Sequence, residues 1–306
     1  MKYLKLIRYQ NLLMLALMQL IFRYGFLKLE NIPLALADWQ YLLLVLSTVL
    51  LAAGGYVINN IFDQATDHDN KPDTVIVGRS ISETHAYNIY VALNITGVGI
   101  GFYLSNVIEK PGFASIFIMI AAALYFYATS LKQMVLIGNI VVAALLSCSV
   151  IIIGIFDLFP VITPENQPMM ANLFSILLDF AVFAFMINFI REIVKDLEDV
   201  NGDYNQGMST LPIVLGISRT AKITFGLSFI PILVILVYIN TYLIPLLYAT
   251  IYMFLFILGP LFYFMIKIWT AKKQKEFHSL SLLLKWILFF GILSVLVISL
   301  NIKYNA

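Results

Sequence analysis

The chain has one cysteine, three histidines and little charge. Asp, Glu, Lys and Arg together make up 12% of its 306 residues, against 61% hydrophobic. The lone Cys148 excludes an internal disulfide and a cysteine-based zinc site, and inside an apolar run it reads as a small core residue. His68, His85 and His278 share no ligand spacing; His68 stands close enough to the acids to support them, and the other two read as solvated. No polar stretch is long enough for a soluble domain. The first apolar stretch lacks a small-residue cleavage site and reads as a retained helix. A net charge of +2 gives no reason to expect a nucleic-acid partner.

What is present is apolar length. Mean hydropathy is +0.91, and windows of about 17–25 residues fit a bilayer as helices. They predict an all-α polytopic membrane protein, a single integral domain over residues 1–306. Nine spans are expected: Asn11–Leu27, Trp39–Phe62, Tyr87–Leu104, Phe113–Ala128, Val135–Phe156, Met170–Ile190, Ile223–Tyr238, Leu243–Ile268 and Leu280–Leu300. Only "INTYL" separates the seventh from the eighth, which predicts a tight hairpin there. With the N-terminus in the cytoplasm, 15 of the 19 Lys and Arg fall at cytoplasmic ends; Arg23, Lys28, Lys110 and Lys303 are the other four. The loop "DLFPVITPENQP" has no Lys or Arg. This orientation predicts a multi-pass protein of the cell membrane.

The scarce acids are not scattered. Of 17 Asp and Glu, nine fall in "NNIFDQATDHDNKPD" (59–73) and "REIVKDLEDVNGD" (191–203), both on the cytoplasmic side. Asp63 and Asp67 are four apart, as are Asp199 and Asp203, and Asp196 and Asp199 are three apart. On a helix such spacings aim two carboxylates the same way, where like charges repel unless a cation joins them. Hard carboxylate oxygens suit Mg²⁺, with amide oxygens of Asn59 and Asn60 one turn away. Lys71, Arg79, Lys132, Arg191 and Lys195 are interspersed. Acids for Mg²⁺ and bases for the remaining oxygens are what a diphosphate requires. Either loop alone reads as merely solvated; two on one face read as a metal–diphosphate site.

These residues resemble the UbiA family of intramembrane prenyltransferases. "NNIFDQATD" is similar to its first acidic signature at the end of the second span, Asp199 to Asp203 to the second at the end of the sixth. Tyr127, Lys132 and Asn139 in "YATSLKQMVLIGN" resemble a further family feature. "REIVKDLEDVNGD", the following "STLP" and "DNKPDTVIVGRSIS" look like the archaeal branch that prenylates geranylgeranylglyceryl phosphate. Asn60 stands where the signature has an Asp, and Thr74 where an Arg is usual; Arg79 is the nearest replacement for that Arg.

The resemblance implies Mg²⁺-dependent transfer of a polyprenyl group, geranylgeranyl in this branch, from its diphosphate to a lipid acceptor through an allylic carbocation. It makes Asp63, Asp67, Asp199 and Asp203 catalytic metal ligands, assisted by Asn59 and Asp196. Lys132, Lys195, Arg191, Arg79, Tyr127 and Asn139 would hold the diphosphate. Tyr56, Phe62, Tyr125 and Tyr127 are candidates to face the cation. No base is assigned, and Asp69 and Asp73 read equally well as solvated neighbours. An aromatic acceptor, of quinone or chlorophyllide type, is the alternative within the family. A secondary transporter is the alternative outside it, but that predicts charges near the bilayer midplane, where Asp179 is the one deep acid. Asn94 and Asn188 read as facing the bundle interior.

Overall fold

The computed structural model describes residues 2–70, 72 and 75–305. Lys71, Asp73 and Thr74 lie outside the described residues. Every named element among those described is helical. A short α1 (Lys2–Leu6) precedes α2 (Tyr9–Tyr24) and α3 (Asp38–Phe62), and α4 (Gln64–Asn70) continues past a break at Asp63. Then come α5 (Glu83–Val107), α6 (Ala114–Thr129), α7 (Ile137–Asp157) and the long α8 (Gln167–Asn205). The last part holds α9 (Leu211–Leu215), α10 (Ile217–Tyr238), α11 (Leu247–Met253), α12 (Gly259–Thr270) and α13 (Gln274–Asn305). Nine helical segments among the described residues are long and apolar enough to cross a membrane, as the sequence predicts.

Two boundaries differ from expectation. "INTYL" is not the hairpin: Ile239–Leu243 continues α10 as a π-helical turn, and the chain reverses over residues 244–246. No Gly or Pro stands between Tyr238 and Leu243 to stop the helix there. The sixth span extends well beyond Ile190. At 1.5 Å per residue α8 is about 58 Å long, nearly twice the hydrocarbon thickness of about 30 Å. With Met170–Ile190 in the bilayer, residues 191–205 stand clear of it as a charged helical extension. No Gly or Pro interrupts α8 between Pro168, in its first turn, and Gly202 near its end.

Burial divides the molecule into three apolar clusters. One joins α2, α3, α5, α6, α7 and the first half of α8, around Phe22, Tyr41, Phe117 and Phe156. A second joins the middle of α8 to α10–α13, around Phe264, Phe277 and Leu284. A smaller one holds α1 against the ends of α3 and α5 at the acid-bearing end. There Asn60 donates to the Leu6 carbonyl at 3.3 Å and to the Tyr56 carbonyl at 2.8 Å, so its side chain faces α1.

The opposite end of the bundle is closed by a buried ion pair. Arg23 on α2 binds Asp157 at the end of α7, the two side chains being 1% and 0% exposed. Arg23 also donates to the Leu36 carbonyl at 2.5 Å and lies 4.3 Å from the centroid of the Tyr41 ring. Asp157 in turn accepts from the Leu36 N–H at 3.2 Å.

Candidate active site

The site begins where α3 stops. Asp63 sits at the junction with α4, and its carbonyl takes the Asp67 N–H at 2.8 Å, so the acids four residues apart remain on one helical course. The extension of α8 comes up beside α4. Asn70 stitches the two together, donating to the Asp199 carbonyl at 2.9 Å and accepting from the Gly202 N–H at 2.8 Å. Asn205 adds a bond to Asp69 at 3.1 Å. Gly202 is required by this approach: a Cβ there would lie 2.3 Å from Asn70 Nδ2 and 2.8 Å from the Thr66 carbonyl oxygen. Residues some 130 apart in sequence thus form one mouth.

Within it, Asp63 accepts from Lys132, which rides on the short 3-10 turn Leu131–Gln133 between α6 and α7, and from Asn59 one turn back. Asp203 is 7% exposed and feels the charges of Asp199 and Asp63. Burial first, and those two carboxylates second, raise its pKa to about 7, against some relief from Lys132. One step away, Asp196 accepts from Asn139 at 2.8 Å, and Glu192 takes Lys195 at 2.9 Å and Arg191 at 3.6 Å. Tyr127 lies within the fields of Glu192, Asp63 and Asp196.

Asp63, Asp199, Asp203, Lys132 and Asn59 therefore come together, with Asp67 one turn further along α4. Asp196, Asn139, Tyr127, Lys195 and Arg191 form an adjoining group. Arg79 is not brought in. It occupies an exposed turn and donates to the Pro72 carbonyl at 3.2 Å, so nothing in its contacts makes it the phosphate ligand that Thr74 lacks. Phe62 and Tyr125 are 41% and 40% exposed on outer faces, whereas Tyr56 and Tyr127 line a cavity. His278 is exposed, as the sequence suggests, and its Nδ1 lies 3.0 Å from Glu198. His85 contacts the Tyr3 hydroxyl at 3.4 Å, and His68 is exposed. Asp179 opens on a separate cavity beside Tyr238, away from the acid mouth.

That cavity with Tyr56 and Tyr127, about 170 Å³, leads from the mouth into the bundle. Its polar end includes Asn59, Tyr127, Glu192 and Lys195, and its walls are Leu51, Ile120, Leu124, Leu145 and Ile152. A second cavity of about 100 Å³ adjoins it and is lined by Lys285 and Asn11, among others. Sequence reasoning passed over both residues as ligands. The available signal was a lysine inside the apolar run "SLLLKWILFF".

The donor set suits a hard cation. Among the described residues no three His, Cys, Asp or Glu side chains are gathered closely enough to hold an ion unaided. Yet the Asn59 amide oxygen is buried without a hydrogen-bond partner beside Asp63, and the carboxylates around Asp203 crowd one another. Oxygen ligands few in number, completed by phosphate oxygens, are what Mg²⁺ takes.

The model of the UbiA prenyltransferase family matches residues 26–297. The chain is 33% identical over 203 residues to a digeranylgeranylglyceryl phosphate synthase of Thermococcus gammatolerans, covering 64% of this chain and 67% of that one. It is 32% identical over 222 residues to the synthase of the same name in Saccharolobus solfataricus, covering 72% and 71%. Its fold resembles a solved structure described as a digeranylgeranylglyceryl phosphate synthase in membranes, with a TM-score of 0.62, 23% identity and coverage of 96% and 98%. It also resembles a UbiA homologue from Archaeoglobus fulgidus bound to GPP and Mg²⁺, at 0.62, 16% identity, 96% and 99%.

Proposed function

Because the chain belongs to the UbiA prenyltransferase family, we propose that this integral membrane prenyltransferase moves a geranylgeranyl group from its diphosphate to geranylgeranylglyceryl phosphate, at the cytoplasmic face and with Mg²⁺. The observation that carries the reading is the junction of α4 with the extension of α8 through Asn70 and Gly202. It gives two acid pairs, remote in sequence, one opening beside an apolar cavity.

In this reading Asp63, Asp67, Asp199 and Asp203 hold the cation, with Asn59 and Asp196 beside them. Bound there, Mg²⁺ supplies charge neutralisation for the departing diphosphate. Lys132, now paired with Asp63, and Lys195, now paired with Glu192, would take phosphate oxygens of the bound diphosphate. The allylic C–O bond then breaks, and charge develops on the prenyl carbon. Tyr56 and Tyr127 present ring faces to it, and the apolar walls exclude water until the acceptor oxygen attacks. The prenyl tail lies among Leu51, Leu124, Leu145 and Ile152. The partners are thus a prenyl diphosphate, a lipid acceptor and the surrounding membrane lipids.

Purified protein given labelled geranylgeranyl diphosphate and geranylgeranylglyceryl phosphate tests this, with Mg²⁺ or chelator and with Asp63→Ala as control. A doubly prenylated lipid that forms only with Mg²⁺, and not in the variant, is expected. No transfer to this acceptor alongside transfer to a hydroxylated aromatic ring would replace the acceptor assignment.

A further inference from the structure

Four cations, Arg8, Arg191, Lys195 and Lys285, line the polar ends of the two adjoining cavities, with Glu192 as the one carboxylate among those lining residues. Glu192 is shared by Arg191 and Lys195. Arg8 rests 5.2 Å from the Tyr56 ring centroid, and Lys285 Nζ donates to the Asn11 side chain at 2.8 Å. Neither has a carboxylate within ion-pair distance among the described residues. Lys285 also stands close enough to Arg191 for the two charges to repel. A lysine near the end of a span ordinarily turns its ammonium to the rim. This one turns inward to an amide shared by both cavities, where a bound anion would offset what the amide leaves of its desolvation cost.

The cavities differ in what their polar ends offer. The larger opens on Asn59 and so on Asp63 and the metal-type acids. The smaller, between α2, α8 and α13, has no carboxylate among its lining residues. Its polar end is Arg191, Lys285 and the amides of Asn11 and Asn188. From Asn11 it follows α2 down to Phe22, about 16 Å of helix, between Met18, Phe180 and Phe183. That depth suits a hydrocarbon tail better than a single ring. Arg191, Asn11, Tyr56 and Leu146 line both cavities, so two head groups would meet there.

We propose that the smaller cavity is the acceptor site, and that Lys285, Arg191 and Asn11 bind the phosphate head of a prenylated lipid without a metal ion. Lys285 is then a specificity-determining residue that separates anionic from neutral acceptors. The inference deepens the reading above and rests on it for the identity of the reaction.

Equilibrium binding in chelator tests it, using geranylgeranylglyceryl phosphate, its dephosphorylated counterpart and inorganic phosphate. Wild-type protein is expected to prefer the phosphorylated lipid. Lys285→Gln should weaken that lipid about tenfold or more and leave the neutral one unchanged, as loss of a charge-assisted hydrogen bond requires. Lys285→Arg should keep the preference, and Asp63→Ala should not alter it. Asn11→Asp, which gives Lys285 an internal partner, should imitate Lys285→Gln and serves if that variant does not fold. In turnover, the acceptor KM should rise and the donor KM should not. Equal loss of both lipids, a requirement for Mg²⁺, or binding of free phosphate as tight as that of the lipid would overturn the proposal. So would an aromatic carboxylate that binds better than the lipid. Intact lipid binding without transfer would instead overturn the acceptor named under the proposed function and leave this anion site standing.

Discussion

The two ends of the bundle handle charge in opposite ways. At one end Arg23 and Asp157 are buried and close on each other, on the Leu36 backbone and on the Tyr41 ring. At the other, Asp63, Asp199 and Asp203 share a mouth with Lys132, and Arg8 and Lys285 have no carboxylate of their own among the described residues. Charge that closes on itself holds helices in place, whereas charge left over after pairing marks where something else binds. The same rule separates Arg23 from Lys285, although both are cations on spanning helices.

The comparison breaks most visibly at the closed end. Arg23→Met leaves Asp157 buried and unpaired, which should cost about 3–5 kcal/mol of stability. Thermal unfolding in detergent measures the loss, and Arg23→Met with Asp157→Leu should recover most of it. Folded protein of either kind should keep its transfer rate; a slow but stable Arg23→Met would refute the division.

At the open end, Asp63→Asn and Asp203→Asn should leave the melting temperature nearly unchanged while lowering kcat by about 10²–10³, roughly 2.7–4 kcal/mol of transition-state stabilisation. Chelation of Mg²⁺ should abolish turnover in wild-type protein and add little to the loss in either variant. A melting temperature that falls with activity would make these acids structural.

Gly202→Ala sharpens the boundary between the two kinds of effect. Overpacking α4 against α8 should cost about 1–3 kcal/mol, and the displaced acids should raise the Mg²⁺ concentration needed for half-maximal rate. An unaltered Mg²⁺ response would mean that the junction does not set the site.

The smallest effect is expected at Asn60. Because its side chain faces α1, Asn60→Asp should give no gain in Mg²⁺ affinity and lose no more than about 1 kcal/mol through its bonds to Leu6 and Tyr56. Tighter Mg²⁺ binding would show that this position reaches the acid mouth after all.

Much of this was open to reading in the chain. Lengths of apolar sequence determined nine spans, because a bilayer fixes how many residues a helix needs. The spacing of Asp63, Asp67, Asp199 and Asp203 determined which acids lie one helical turn apart, because helical geometry converts three- and four-residue intervals into a shared direction. Only the tertiary structure decided the rest. It turned Asn60 towards α1 and Arg79 into an exposed turn, and it gave His278 to Glu198. It set Lys285 beside Asn11, 274 positions away in the chain. Contacts of that separation follow from how whole helices pack, and no local interval in the sequence encodes them.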